Sequence, residues 1–197
     1  MKLIQISAAA VAALAFAGSA SAFSFDCITG TGGCTTQGEG LISWTLNANS
    51  LVIFNNDPSM KGSFISGISF DYIKSMDVAL AIVQPIGVVY SMSTKDEANL
   101  PNSLGWSIDE GAKPDSPPSK NGVNGGETIT FDLTNVALAD IQNGSFKFGV
   151  HLQGLTDGRS EKLVAITTPV PEPETYALML AGLGALGFMA RRRKQQV

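Results

Sequence analysis

The sequence predicts an all-β fold, an antiparallel β-sandwich of jelly-roll type, flanked by an apolar helix at each end. Three observations carry this. Across residues 23–169 no apolar pattern of helical period runs for a useful length, whereas short runs rich in aromatic and β-branched residues recur. Glycine, asparagine and proline punctuate those runs at fairly even spacing, the pattern of a hairpin-rich domain. The interval is long enough for one domain with its own core, and its even turns favour a sandwich over a barrel.

Each element has its own warrant. Residues 39–55 read as a hairpin: Leu41, Ser43 and Thr45 alternate with Ile42, Trp44 and Leu46, and Asn47-Ala48-Asn49-Ser50 turns the chain into Leu51-Val52-Ile53-Phe54. Asn55-Asn56-Asp57-Pro58 closes that strand as a loop. Strand patterns resume from Gly62 through Phe64, Ile68, Phe70 and Tyr72, and again over residues 78–83. Residues 99–126, with Pro101, Pro114, Pro117 and Pro118, read as an exposed loop or sheet-edge excursion in which only Leu104, Trp106 and Ile108 suggest a short strand. Residues 127–133 alternate cleanly, with Ile129, Phe131 and Leu133 on one face. A single helical turn over residues 137–141, a turn at Asn143-Gly144 and strands over 145–153 and 161–167 complete the domain.

Charge narrows the function. Residues 23–169 hold fifteen Asp and Glu against eight Lys and Arg, a net charge of −7, whereas the whole chain is −4 because its ends are basic. An acidic domain without a basic patch excludes nucleic acid as a natural partner and favours solubility outside the cell.

Candidate chemistry within the domain is sparse. Cys27 and Cys34 bracket a glycine-rich loop and read as a disulfide stapling the N-terminal segment, since a metal site needs more ligands nearby and the chain has a single histidine. That histidine, His151, reads as structural, because no Gly-x-Ser-x-Gly surrounds a serine and both cysteines serve the staple. No catalytic residue, metal site or cofactor is therefore assigned. The adjacent acids Asp96-Glu97 and Asp109-Glu110 would point to opposite faces of a strand and read as solvated loop charges. Trp44 reads as core; an aromatic platform for sugar built from Trp44, Trp106 and Tyr72 is the alternative use.

The ends are more informative. Lys2, an apolar run over residues 8–17 and Ala20-Ser21-Ala22 make residues 1–22 a secretory signal peptide, read by the Sec export machinery and signal peptidase, with the mature chain starting at Phe23. At the other end, residues 176–190 carry no charge and are followed by Arg191, Arg192, Arg193 and Lys194. Fifteen apolar residues are short for a span, but Pro173 and Glu174 suit a helix start and the arginines snorkel, giving a transmembrane helix of about twenty residues. The cations hold its far end in the cytoplasm, so everything before Pro171 faces outward. Pro171 and Pro173 flank Glu172 and keep that triplet extended, the form a protease reads.

Val170-Pro171-Glu172-Pro173-Glu174-Thr175-Tyr176, the apolar run and the basic end together resemble the PEP-CTERM sorting signal of exopolysaccharide-producing Gram-negative bacteria. The resemblance covers residues 170–197. It implies recognition at Pro171, Glu172 and Pro173 by a membrane-embedded exosortase, a protease-transpeptidase analogue. Arg191, Arg192, Arg193 and Lys194 would serve membrane retention, with the inner membrane a transient station before the cell surface or the outside. Residues 148–155 and 158–161 are similar to the closing strands of many passenger domains of such proteins. Two roles follow as expectations: a non-enzymatic surface or matrix protein associated with exopolysaccharide or biofilm, or a carbohydrate-binding module or polysaccharide-active enzyme.

Overall fold

Alternation sets the strands. In β9 (Thr128–Leu133) Ile129, Phe131 and Leu133 are buried while Asp132 between them is exposed, and the same rhythm runs through the hairpin of β2 (Ile42–Asn47) and β3 (Ser50–Asn55). The structure, a computed structural model, describes residues 23–169 apart from 32, 35, 60, 61 and 84. Its other strands are β1 (Phe23–Gly30), β4 (Phe64–Tyr72), β5 (Leu80–Val83), β6 (Tyr90–Ser93), β7 (Glu110–Pro114), β8 (Val123–Asn124), β10 (Phe146–Leu155) and β11 (Arg159–Pro169). Three short helices, α1 (Thr36–Leu41), α2 (Pro118–Asn121) and α3 (Leu138–Gln142), cap the strand ends. None is long and apolar enough to cross a membrane; the predicted signal helix and C-terminal transmembrane helix lie outside the described residues.

The all-β antiparallel class holds, but the arrangement differs from two separate sheets. The strands bond in one path, β5-β9-β3-β2-β1-β11-β10-β4-β7-β6, with β8 beside β4, and the two end strands β5 and β6 lie against each other. The expected sandwich is therefore a single sheet curled into a nearly closed barrel. The join is β1, which pairs β11 on one side and β2 on the other through Phe23↔Trp44 and Ser24↔Ser43. Two register shifts along β1–β11 let the sheet bend there. The barrel is filled by rings from opposite walls: Phe70 of β4 meets Phe131 of β9 edge-on at 5.0 Å, and Trp44 of β2 meets Phe148 of β10 at 5.2 Å.

Residues 99–126 depart from the expected loop. They contain β7, α2 and β8, while Leu104 ends a 3-10 turn and Trp106 and Ile108 lie outside any strand. Small residues explain β7: the chain over residues 95–98 crosses the outer face of β4 and β7, where a Cβ at Gly67 would collide with the Glu97 carbonyl oxygen and one at Gly111 with that of Lys95. Ser69 Oγ accepts the Ala98 N–H at 2.9 Å and donates to Asp96 Oδ1 at 2.6 Å; Glu97 Oε1 accepts from Ser93 Oγ at 2.7 Å and meets Lys113 Nζ at 3.4 Å. The Asp96-Glu97 pair is thus fastened to the sheet rather than solvated. Gly67→Ala is expected to lower unfolding free energy by about 2–3 kcal/mol in urea titration, because backbone must move. Gly40→Ala, whose Cβ meets nothing, serves as the control.

The loop after β3 is braced by one carboxylate. Asp57 Oδ1 accepts from Ser59 N at 2.9 Å and Ser59 Oγ at 2.5 Å, and Oδ2 accepts from Ser63 N and Oγ, each at 2.8 Å. Burial pushes the Asp57 carboxyl up, but these four bonds together outweigh it and bring it from 3.8 down to about 2. A depressed acid stabilises the fold above its unfolded pKa, and the contribution is lost as pH falls towards the folded value. Between pH 4 and 2 the wild type should lose about 1–2 kcal/mol more stability than Asp57→Asn, read by denaturant titration at both pH values.

Candidate functional site

The sequence points to the C-terminal segment, and the structure describes the strand that delivers it. β11 is central for most of its length, bonded to β10 through Gly149↔Val164 to Leu155↔Arg159 and to β1 through Gly30↔Glu161 to Phe25↔Ala165. Beyond Ala165 the support thins. The next β1 pair is Phe23↔Pro169, so a single residue, Ser24, stands opposite Ile166, Thr167 and Thr168. Ser24 itself is paired with Ser43 on β2. Pro169 is the last described residue; Pro171, Glu172, Pro173 and the basic end from Arg191 to Lys194 lie outside the description.

The Phe23↔Pro169 pair has a topological consequence. The first residue after the predicted signal peptide and the last before the predicted sorting segment, residues 170–197, meet at one pole of the barrel. Phe23 is buried there, stacked on Trp44 at 4.6 Å. Sequence reasoning missed this partner; the Phe23-Ser24-Phe25 alternation directly after Ala20-Ser21-Ala22 was the available signal.

Strand directions place a polar group at the same pole. Lys147 of β10 bridges to Asp71 of β4 at 2.6 Å and lies 5.4 Å from the centre of the Trp106 ring. Asp109 Oδ2 accepts the Tyr72 N–H at 3.0 Å, and the Tyr72 ring stacks on Phe146 at 6.0 Å. Burial raises the Glu110 carboxyl, with Asp109 adding to the rise and a hydrogen bond from Tyr72 opposing it; Glu110 Oε2 is enclosed without a hydrogen-bond partner among the described residues. Burial likewise raises the Tyr72 hydroxyl, helped by the charges of Glu110 and Asp109.

The remaining sequence candidates are dispersed. Cys27 and Cys34 form the disulfide, with Cα atoms 5.7 Å apart, and tie the middle of β1 to the loop before α1. His151 stands beside Lys162 and Gly67 in the ladder, and its Nδ1 is 3.4 Å from Gln153 Nε2; burial lowers its pKa, with Lys162 contributing. Trp44, Tyr72 and Trp106 form no common platform: the first is in the core, the second stacks on Phe146, and the third holds Lys147. Asn143 Oδ1 accepts the Ser145 N–H at 2.8 Å across Gly144 at φ +78°, which makes Asn143-Gly144-Ser145 the turn into β10.

Comparison with curated proteins and with solved structures returns no match. A family model described as the PEP-CTERM protein-sorting motif matches residues 169–194, which begins at the last residue of β11 and covers the Pro-Glu-Pro triplet, the apolar run and the four cations. The motif marks an exported chain that transits the membrane, is bound for the cell surface and is processed by an exosortase. Strand β11 thus runs without a spacer into the segment that matches the PEP-CTERM protein-sorting motif.

Proposed function

We infer that the barrel is a non-enzymatic passenger of the cell envelope. Residues 1–22 export it, residues 170–197 hold it in the inner membrane, and exosortase cuts near Pro171, Glu172 and Pro173 to pass it to the surface or the exopolysaccharide matrix. The observation that carries this reading is the sorting-motif match over residues 169–194, joined to a register in which Phe23 and Pro169 are neighbours. The Phe23↔Pro169 pair makes the segments that precede and follow the barrel leave it from one pole, which supports a passenger processed at both ends on one side.

Cell fractionation tests it. In cells with exosortase the barrel should be found outside the inner membrane; in cells lacking the enzyme it should stay in the inner-membrane fraction, open to protease added from the outside. Equal distribution in the two strains would reject the reading. The group around Trp106 supports the second reading, a saccharide-binding module, since a partly exposed indole beside Lys147 and Asp71 offers stacking and hydrogen bonds. Saturable retention of the folded protein on polysaccharide, lost in Trp106→Ala, would favour it.

A further inference from the structure

A polar pocket lies at the pole opposite the Phe23↔Pro169 pair. Strands β1 and β11 run antiparallel, so their Gly30↔Glu161 pair sits about 20 Å along the wall from that junction. There Thr29 and Gly30 of β1 and Thr31 just after it face Ser160 and Lys162 of β11 across a cavity of about 220 Å³.

The walls are braced from several sides. The Thr31 N–H donates to the Ser160 carbonyl at 2.9 Å, the two hydroxyls share a hydrogen bond at 3.1 Å, and the Gly33 N–H donates to the Gly30 carbonyl at 3.0 Å. The Cys27–Cys34 disulfide closes the loop that carries Thr29, Gly30 and Thr31. Only glycine fits at position 30, where a Cβ would stand 2.8 Å from the Gly33 carbonyl oxygen and 2.9 Å from Glu161 Cγ. A site held in this way gives up little conformational entropy when a ligand enters.

The lining narrows the ligand. It presents three hydroxyls and one ammonium, with no aromatic side chain. Lys113 and Lys147 are each paired with a carboxylate, whereas Lys162 has no ion pair among the described residues. His151 stands beside Lys162 in the β10–β11 ladder; burial and the Lys162 charge hold it below its usual pKa, so it is neutral at pH 7 and Lys162 is the one cation of the pair. An unpaired ammonium takes an anion, and the hydroxyls around it suit further hydroxyls beside that anion. The cavity is smaller than the roughly 300–1,000 Å³ of sites for drug-sized ligands, so it admits one unit of a longer chain.

We propose that Thr29, Thr31, Ser160 and Lys162 form a binding site for a carboxylate-bearing saccharide unit, with Lys162 on the carboxylate and the three hydroxyls on the hydroxyls of the ring. This goes beyond the envelope reading and does not depend on sorting. It is also separate from the group around Trp106, which belongs to the Phe23 pole.

His151 is the only histidine of the chain, so its ring signals give an unambiguous reporter next to Lys162. The full-length chain in non-ionic detergent, titrated with a galacturonate trisaccharide, should show a saturable shift of those signals. Cellotriose, which has no carboxylate, and acetate, which has no hydroxyls, should each bind about tenfold more weakly or worse. By calorimetry Lys162→Gln should weaken trisaccharide binding about tenfold or more, and Thr31→Val about threefold. Lys120→Gln removes the same charge from α2 and should leave the affinity unchanged. No saturable shift, wild-type affinity in Lys162→Gln, or an equal loss in Lys120→Gln would overturn the site. Acetate or cellotriose binding as tightly as the acidic trisaccharide would overturn its assignment to an acidic saccharide, and neither comparison relies on the folding of a variant.

Discussion

Replacing Pro171, Glu172 and Pro173 together with alanine is expected to leave the uncut chain in the inner membrane, with processed product reduced about tenfold or more. The sequence predicts an extended triplet, because each proline lacks an N–H and restricts the residue before it, and alanine in their place removes that preference. The protease then loses both its charged determinant and the extended shape. Insertion should not change, because the apolar run over residues 176–190 and the cations from Arg191 to Lys194 are untouched. Immunoblots of membrane and external fractions report both results. Wild-type levels of external product would show that the triplet is not the recognition element.

Trp44→Ala is expected to be the most damaging single change in the barrel, lowering unfolding free energy by about 3–5 kcal/mol. Trp44 is fully buried, stacked on Phe23 and edge-on to Phe148, and its Nε1 donates to the Ser24 carbonyl at 2.9 Å. Its removal empties the junction where β2, β1 and β10 meet, the place at which the sheet turns from one wall to the other. Trp44→Phe keeps most of the apolar contact but leaves the Ser24 carbonyl without its donor, and should cost about 1–2 kcal/mol. Urea titration of the exported domain distinguishes the two; an alanine variant as stable as wild type would mean that the junction does not depend on the indole.

What could be read from the sequence was local. The β2–β3 hairpin, β9, the helical turn α3 and the start of β10 announce themselves by alternation and by turn residues such as Asn143-Gly144. The sorting segment is legible for the same reason, since triplet, apolar run and cations are contiguous. Strand β7, Glu110–Pro114, was not legible: Gly111 and Ala112 are poor strand formers, and their reason lies in the chain crossing above them. Nor was β1, whose role as the barrel's join depends on a partner strand at the far end of the domain. Asp109-Glu110 reads as loop charge in the sequence, because only strand register brings Tyr72, and beside it Asp71 and Lys147, to that loop.

The central claim is that the barrel is a passenger cut free at both ends where those ends meet. Intact-mass spectrometry of the protein recovered from outside the inner membrane tests it most directly. The predicted chain begins at Phe23 and ends near Pro171–Pro173, with Arg191, Arg192, Arg193 and Lys194 absent. A mature chain whose mass still includes those four cations would contradict it.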